Sequence, residues 1–462
     1  MRRRAIITSQ YENETISLVN RMSFEPSTKH IMLIDKTIKD LKDAGIWQKL
    51  SVLYIFEAYN RIDAKLNWIS NNFNATEPVA PTFIANYGFK GNGLSAYLNT
   101  NYNANDDDNY NLNDCCVGCN IKAITPIISG TKDWTMVGAA NNATTQISYM
   151  PNRKATHQVV CIHTSYDALA YLSITAVTGI ATITRDTEGS FNLYQNISTK
   201  VNSQKAADGN IPDGNIYLLA SNDIANSNNP VNFSPDAIGG FWIGSSITSE
   251  QHDLLVGILN NYSSEVNKDI TDNTLVIGDS TIASYLEQNA VSSYLKVTGT
   301  LTDISDPGDT ILQQQTLYEN LNSGVKSAVA LAFIQIGLND LDVNETASTA
   351  MGRYQTLINT IIAGSPNATI ILGTMIPVKQ RLIDVLGAED GLVAYAKWLN
   401  MNEAIRGNNA YKITGADGYI DYHTNIMNDG DGNLLASFDM GDHVHPNNEG
   451  RSIIAQCWKE FL

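Results

Sequence analysis

Three regimes of apolar and polar spacing follow one another along this chain. In the first, apolar side chains recur at helical intervals. Ile38, Leu41, Ile46 and Leu50 outline a helix over residues 37–50, interrupted at Gly45. Ile62, Leu66 and Ile69 outline a second over 58–69, and Pro26 marks a turn before both. Between residues 80 and 245 the spacing shortens. Brief apolar alternations at 95–98, 134–137, 145–149, 158–162, 180–184 and 215–220 are separated by Asn, Gly, Asp and Pro clusters. Many short strands with turn signals between them predict an antiparallel β-sandwich.

The third regime begins after a helical pattern at 249–262 and a polar stretch at 263–273 that reads as a linker. Compact apolar runs at 274–277, 329–336 and 369–375, and a shorter one near 294–297, alternate with helical stretches at 282–290, 310–321, 347–363, 392–405 and 450–462. Strands alternating with helices predict an α/β domain built on a parallel sheet. The expected organisation is a helical segment over 1–75 serving assembly or attachment, a β-sandwich over 76–262, a linker over 263–273 and an α/β domain over 274–462.

Composition narrows the function classes. Apolar residues make up 43% of the 462 positions, enough for several cores, while only 17% are charged. The formal net charge of −17 would repel a phosphate backbone, so no nucleic-acid partner is expected. Met1-Arg2-Arg3-Arg4 has the charge of a secretory n-region, but Ala5-Ile6-Ile7 runs directly into Thr8-Ser9-Gln10 and no apolar h-region follows. The expectation is a soluble chain without its own Sec signal and without membrane insertion.

Five cysteines, Cys115, Cys116, Cys119, Cys161 and Cys457, are too few and too scattered for a disulfide framework. Cys116 and Cys119 have zinc-ligand spacing, yet no second pair or His pair accompanies them, so ordinary thiols are the favoured reading. Asp106-Asp107-Asp108 reads as an acidic turn. The segment 428–433 has half the acidic spacing of a calcium loop but lacks its closing Glu, and reads as a hairpin turn. No metal and no organic cofactor are expected.

Candidate chemistry gathers at the ends of the predicted α/β strands. Gly278-Asp279-Ser280 follows the first strand, where sites form in open α/β sheets. A serine there, beside the start of a helix, suits a nucleophile, although a helix-capping serine would look the same. A nucleophilic serine needs a base, and the second half offers His423, His443 and His445. Asp442 lies three residues before His445, so one short loop can fix the imidazole tautomer and aim the other ring nitrogen at the serine. His443 competes, because residues two apart on an extended chain share a face. Asn339, in Gly337-Leu338-Asn339-Asp340 after the 329–336 strand, can offer its amide to an oxyanion. Gly308, in Pro307-Gly308-Asp309, can bring a backbone N–H close to a reacting carbonyl. Each taken singly has an ordinary reading as a turn residue.

The ordered set Ser280, Gly308, Asn339 and Asp442-x-x-His445 resembles the SGNH or GDSL-type hydrolase family over residues 274–462. The resemblance implies a three-layer α/β/α fold, a Ser280–His445–Asp442 triad, and an oxyanion hole made by the Ser280 N–H, the Gly308 N–H and the Asn339 amide. The family's leucine after the serine is Thr281 here, a departure that leaves the chemistry intact. The implied reaction is hydrolysis of an ester through an acyl-serine, and the lack of a long apolar lid segment disfavours a lipase.

The front half, over about 15–262, resembles the laminin-G-like, concanavalin-type jelly rolls found among bacteriophage tail proteins. The segments that carry this are Arg21-Met22-Ser23, Ala44-Gly45-Ile46-Trp47, Gly88-Phe89, Tyr97-Leu98-Asn99-Thr100 and Phe241-Trp242-Ile243-Gly244. That resemblance implies a virion setting, other tail proteins as partners, possible glycan binding and, by analogy, a homotrimer. Together the halves suggest a tail-associated esterase that removes O-acyl groups, acetyl above all, from host surface polysaccharide. The rival expectations are a structural or receptor-binding tail protein with an inactive hydrolase fold, and a bacterial secreted esterase.

Overall fold

The structure, a computed structural model, describes the chain except for residues 1–10, 24, 25, 27, 128–132, 143, 155, 156, 165–170, 173–177, 208, 268, 342, 343 and 462. The Met1–Arg4 reading therefore lies outside the described residues. The chain divides into two units, Met1–Val266 and Asn267–Leu462.

Strands buried on both faces organise the first unit. Leu50–Ile55 is buried at every position, and its side chains sort by alternation. Val52 and Tyr54 enter one hydrophobic core, Leu53 and Ile55 another. Cys115–Ala123 and Ala237–Gly244 divide likewise: Val117, Cys119, Phe241 and Ile243 face the first core, Cys116 and Trp242 the second. The first core lies between two sheets. One has the order 199–203, 191–195, 179–185, 115–123, 237–244, 88–90, 82–84, with 50–55 also paired to 237–244. The other runs 171–172, 157–162, 146–154, 137–140, 215–218, 97–103, 76–79, with 221–223 and 229–231 beside it. Strand pairs in this unit are antiparallel except Asn222–Asp223 against Ala139–Ala140. The second core joins the first sheet's other face to the helices Asn13–Arg21, Thr28–Asp43 and Ser249–Val266, through Leu18, Ile34, Leu41, Leu255 and Leu259.

Several expectations change here. The helix expected at 37–50 spans Thr28–Asp43 instead, and Leu50 begins a strand. The helix expected at 58–69 does not form beyond the short turn Arg61–Ala64, capped by the Asn60 side chain. Ile62 mimics helical spacing but is 45% exposed, whereas Leu66 is buried by irregular chain. Residues 1–75 are thus not a separate helical segment, because 50–55 is hydrogen-bonded into the sheet. Nor is 263–273 a free linker: the helix continues to Val266, whose side chain is buried, and Ile270 bridges to Val297.

The cysteine cluster lies within the strand Cys115–Ala123. Cys115 and Cys119 face one core and Cys116 the other, so the three thiols cannot converge on one ion. Among the described residues, no group of three or more His, Cys, Asp or Glu is placed to hold a metal. No described helix is long and apolar enough to cross a membrane. In the 428–433 turn, Asn428 and Asp429 accept backbone N–H groups of Gly430, Gly432, Asp431 and Asn433, which closes the loop on itself.

The second unit holds a five-stranded parallel sheet in the order Leu301–Asp303, Thr274–Gly278, Leu331–Gln335, Thr369–Gly373, Gly418–Ile420. The strands 274–278 and 331–335 are buried at every position, as a sheet covered on both faces requires. Phe333 stacks on Trp458 of the helix Asn448–Phe461, with ring centroids 4.7 Å apart. The helices Ile311–Asn320, Ala347–Gly364 and Ala388–Ile405 pack in sequence against one another. The strand expected near 294–297 is displaced to 301–303, and Val291–Tyr294 is a 3-10 turn. From the 274–278 strand the chain moves first to one neighbour and then crosses to the other. Ligand sites in open α/β sheets form at the carboxyl end of such a switch point.

The two-layer packing of the first unit makes a test. At Gly118 a Cβ would lie 2.1 Å from Trp242 Nε1 and 2.2 Å from its Cε2, and Trp242 is fully buried. Gly118→Ala should destabilise this unit by about 1–3 kcal/mol through overpacking. Denaturant unfolding followed by tryptophan fluorescence would check it, and an unchanged midpoint would contradict the packing described.

Candidate active site

The site begins where the central strand stops. A Cβ on Gly278 would come within 2.1 Å of Ile282 Cδ1 and 2.7 Å of the Gln335 carbonyl, so only glycine lets the chain turn this tightly against its neighbour. Residues 279–283 then make one helical turn, with the Ile282 and Ala283 N–H groups donating to the Asp279 carbonyl at 3.1 and 2.9 Å. The helix expected over 282–290 does not follow. Tyr285 and Gln288 instead pair across a short antiparallel turn. Ser280 sits in the helical turn and is 7% exposed.

The Asp279 carboxylate points inward. It accepts the Thr281 N–H at 3.0 Å and the Thr281 hydroxyl at 2.7 Å, while Gln335 Nε2 donates to the same hydroxyl oxygen at 3.2 Å. Burial pushes the Asp279 carboxyl above its ordinary range, against the pull of those Thr281 bonds. Thr281, the departure from the resembled family, therefore holds a polar contact between two adjacent strand ends.

The histidine loop is shaped by two aspartates. Asp439 gathers the N–H groups of Gly441, Asp442 and His443 at 2.9, 3.2 and 3.1 Å. It also lies 3.1 Å from His443 Nδ1. His443 has φ +63° and its side chain is 49% exposed. The loop is not extended, so His443 and His445 do not share a face. His445 is buried, with Nδ1 2.5 Å from Asp442 Oδ2 and Nε2 2.9 Å from Ser280 Oγ. Asp442 Oδ1 accepts the backbone N–H of His445 at 2.9 Å and of Val444 at 3.1 Å. Partial burial pushes the Asp442 carboxyl up, but the His445 ring and these N–H groups outweigh it and hold it below its ordinary value. The proton on Nδ1 is thereby fixed toward the carboxylate, leaving Nε2 to accept from the serine hydroxyl. The third histidine, His423, is engaged elsewhere. Its Nδ1 lies 3.1 Å from Arg406, and burial, aided by that cation, pulls its pKa down to about 4.

The two side-loop donors are placed less alike. Leu338–Asp340 forms a 3-10 turn after the 331–335 strand. Asp340 anchors it by accepting the Ile311 N–H at 3.0 Å and by pairing with Arg353 at 3.1 Å. Asn339 lines a cavity of about 350 Å³ together with Ser280, His445, Leu338, Val444 and Arg381. Its Nδ2 donates to the Asp309 carbonyl at 2.9 Å, and an amide has a second N–H beyond that bond. Gly308 sits on an exposed turn with φ +87° and is not in the cavity lining. Its loop is tied to the site by the Asp306 N–H, which donates to the Gly278 carbonyl at 3.1 Å.

Two residues beside the serine escaped the sequence reading. Tyr285 stacks on His445 with centroids 4.1 Å apart and planes 23° apart. Arg451 reaches the Ser280 carbonyl at 2.9 Å. No motif announces Tyr285. Arg451 could have been suspected as the one Lys or Arg between Pro446 and Trp458, directly after the histidine loop.

The geometry separates the two loop histidines. His445→Ala should lower the rate of ester hydrolysis by about 10³-fold or more, whereas His443→Ala should stay within a few-fold of wild type. Equal losses in a p-nitrophenyl acetate assay would contradict the arrangement. Asp442 adds a pH test. Its folded carboxyl titrates below the ordinary 3.8, so its stabilising contribution is complete above 3.8 and is lost as pH falls through the lower folded value. The part of the stability difference between wild type and Asp442→Asn that comes from this carboxyl should be full above pH 3.8 and shrink as pH falls from there through the lower folded value, as read by denaturant unfolding at a series of pH values.

Residues 276–453 match the model of the GDSL-like lipase/acylhydrolase family. No curated protein matches the chain. Similar solved structures include a GDSL-like lipase from Bacteroides thetaiotaomicron, at 16% identity over 44% of this chain and 98% of that one, TM-score 0.33. Another is the lipase/acylhydrolase from Enterococcus faecalis, at 18% identity over 41% of this chain and 95% of that one, TM-score 0.30. A carbohydrate esterase of family 3 from Talaromyces cellulolyticus is similar at 17% identity over 41% and 96%, TM-score 0.29. The family match spans Ser280, Asn339, Asp442 and His445, and the C-terminal part of this chain is a GDSL-like lipase/acylhydrolase domain behind a β-rich N-terminal region.

Proposed function

We propose that this domain is a serine esterase in which Ser280 is the nucleophile, His445 the base and Asp442 the group that orients the base. The observation that carries this reading is the continuous path from Ser280 Oγ through His445 Nε2 and Nδ1 to Asp442 Oδ2, beside a cavity. His445 takes the Ser280 proton as the hydroxyl attacks the ester carbonyl. His445 then protonates the departing alcohol, activates water, and the acyl-serine is hydrolysed to the free acid. The negative charge on the tetrahedral oxygen is assigned to the Ser280 N–H and the remaining Asn339 amide N–H, with the Gly308 N–H, which lies outside the cavity lining, as the third donor that the family resemblance implies. The Asn339-to-Asp309 and Asp306-to-Gly278 bonds tie these three loops to one another.

The substrate is read as an O-acyl group, acetyl being the smallest, on a host surface polysaccharide, and the protein as a component of a phage tail. The support is the β-rich unit ahead of the esterase. Three of the segments that resemble concanavalin-type jelly rolls lie in its strands Gly88–Lys90, Tyr97–Asn103 and Ala237–Gly244, while Arg21-Met22-Ser23 and Ala44-Gly45-Ile46-Trp47 lie outside strands. A sparsely charged, acidic surface suits a soluble particle component.

Ser280→Ala should reduce p-nitrophenyl acetate hydrolysis by about 10³-fold or more, and equal rates would remove the nucleophile assignment. Acetate released from an O-acetylated polysaccharide by wild type but not by Ser280→Ala would support the substrate reading. Negative-stain imaging of particles labelled for this chain tests the virion setting.

A further inference from the structure

We propose that Arg451 is a positioning residue for the esterase reaction, a buried cation that holds the serine turn and the histidine loop in register. This rests on the reading of Ser280 and His445 as nucleophile and base. Arg451 lies in the first turn of the helix Asn448–Phe461 and is 0% exposed. Its guanidinium makes no carboxylate pair among the described residues. Every partner it has is a backbone carbonyl. Nη2 donates to Ser280 O at 2.9 Å, Nε to Pro446 O at 2.8 Å, and Nη1 to Ala283 O and, at 3.4 Å, to Asn289 O. Two of these carbonyls belong to the nucleophile's own turn, one follows directly on the base, and one closes the Tyr285–Gln288 turn that presents the ring stacked on His445.

A planar fork with five donors is suited to such a junction, and a single ammonium is not. Burying a cation without a counter-charge is costly, so the site keeps its charge only because four carbonyl dipoles replace water. Burial, the dominant influence, pulls the Arg451 pKa down to about 10, with Tyr294 and Asp279 opposing it, so the group remains charged at neutral pH. The Ser280 Oγ to His445 Nε2 distance of 2.9 Å spans two segments 165 residues apart in sequence. Among the described side chains, Arg451 bonds to both of those segments at once. It touches no substrate and no reacting atom, so its effect on the reaction must run through the relative placement of Ser280 and His445. Loss of that alignment should appear in kcat rather than in KM, because the cavity lining that binds the ester is made by other residues.

The test uses the full chain and three proteins: wild type, Arg451→Lys and Arg451→Ala. Each is measured for p-nitrophenyl acetate hydrolysis, for thermal unfolding, and for labelling of Ser280 by a fluorophosphonate. Arg451→Lys keeps the charge but loses the fork, and its kcat should fall about 10- to 100-fold with KM within two-fold, the scale expected for misplaced reacting groups. Arg451→Ala opens a guanidinium-sized space, and millimolar guanidinium should restore part of its kcat where the same concentration of sodium chloride does not. Either variant retaining wild-type kcat would overturn the proposal. So would losses that match only the fraction of unfolded protein, or failure of both variants to fold, since each describes a structural role alone. Absence of Ser280 labelling in the wild-type protein would instead overturn the nucleophile reading, and so keeps the two failures apart.

Discussion

The 274–278 strand is hydrogen-bonded along both edges and covered on both faces, and the geometry of the esterase domain follows from that confinement. A chain buried on every side has nowhere to go except out of the carboxyl end of the sheet. It must also turn at once, because Ile282 and the 331–335 strand leave no room for a side chain at Gly278. The tight turn that results fixes Ser280 relative to the sheet before any neighbour contributes. The strands on either side run parallel to it and stop beside Val276 and Gly278, so their following loops, 304–309 and 336–340, lie toward the serine end of the sheet for topological reasons. The histidine loop is the one component brought from far along the chain, and it is held by side chains rather than by the sheet.

Much of this arrangement was legible in the residues. Ser280 and Asn339 could be singled out because sites in parallel sheets follow strands, and the apolar runs at 274–277, 329–336 and 369–375 have a clear length and composition, while His445 was singled out by Asp442 three residues before it. The choice between His443 and His445 was not legible from alternation. Asp439 folds the loop over His443 and breaks the extended geometry on which alternation depends. The helix expected at 282–290 failed for a related reason. Its apolar spacing is real, but Ile282 and Ala283 are consumed by the single turn around Ser280, and the residues after them pair across a hairpin. Gly308 was legible as a residue type, and it stands on an exposed turn with a positive φ, a conformation that favours glycine.

The front unit was legible in class more than in boundary. Short alternating runs gave the sheets away. The Leu50–Ile55 strand did not alternate in sequence because both its faces are buried, one by the sandwich core and one by helices. A strand of that kind reads as a continuous apolar run and merges with the helical pattern around it. The cysteine cluster shows the converse. Zinc spacing along a sequence loses its meaning in a pleated strand, where neighbouring thiols face opposite layers.

The pairing of 50–55 with 237–244 has a further consequence for how the protein is made. Lys49 and Ser246 are hydrogen-bonded although 197 residues separate them. The 237–244 strand also carries 115–123 along its other edge, so the sheet stays open until synthesis has passed residue 244. Until then the emerging chain exposes apolar strand edges that have no partner, a state prone to association with other chains. In the second unit the parallel strands pair over shorter separations, although the sheet is covered and the serine turn held only once the helix Asn448–Phe461 has arrived. The longest-range sheet closure thus falls in the half of the molecule that does not hold Ser280 and His445, and yield in recombinant expression should respond to temperature and synthesis rate through that half.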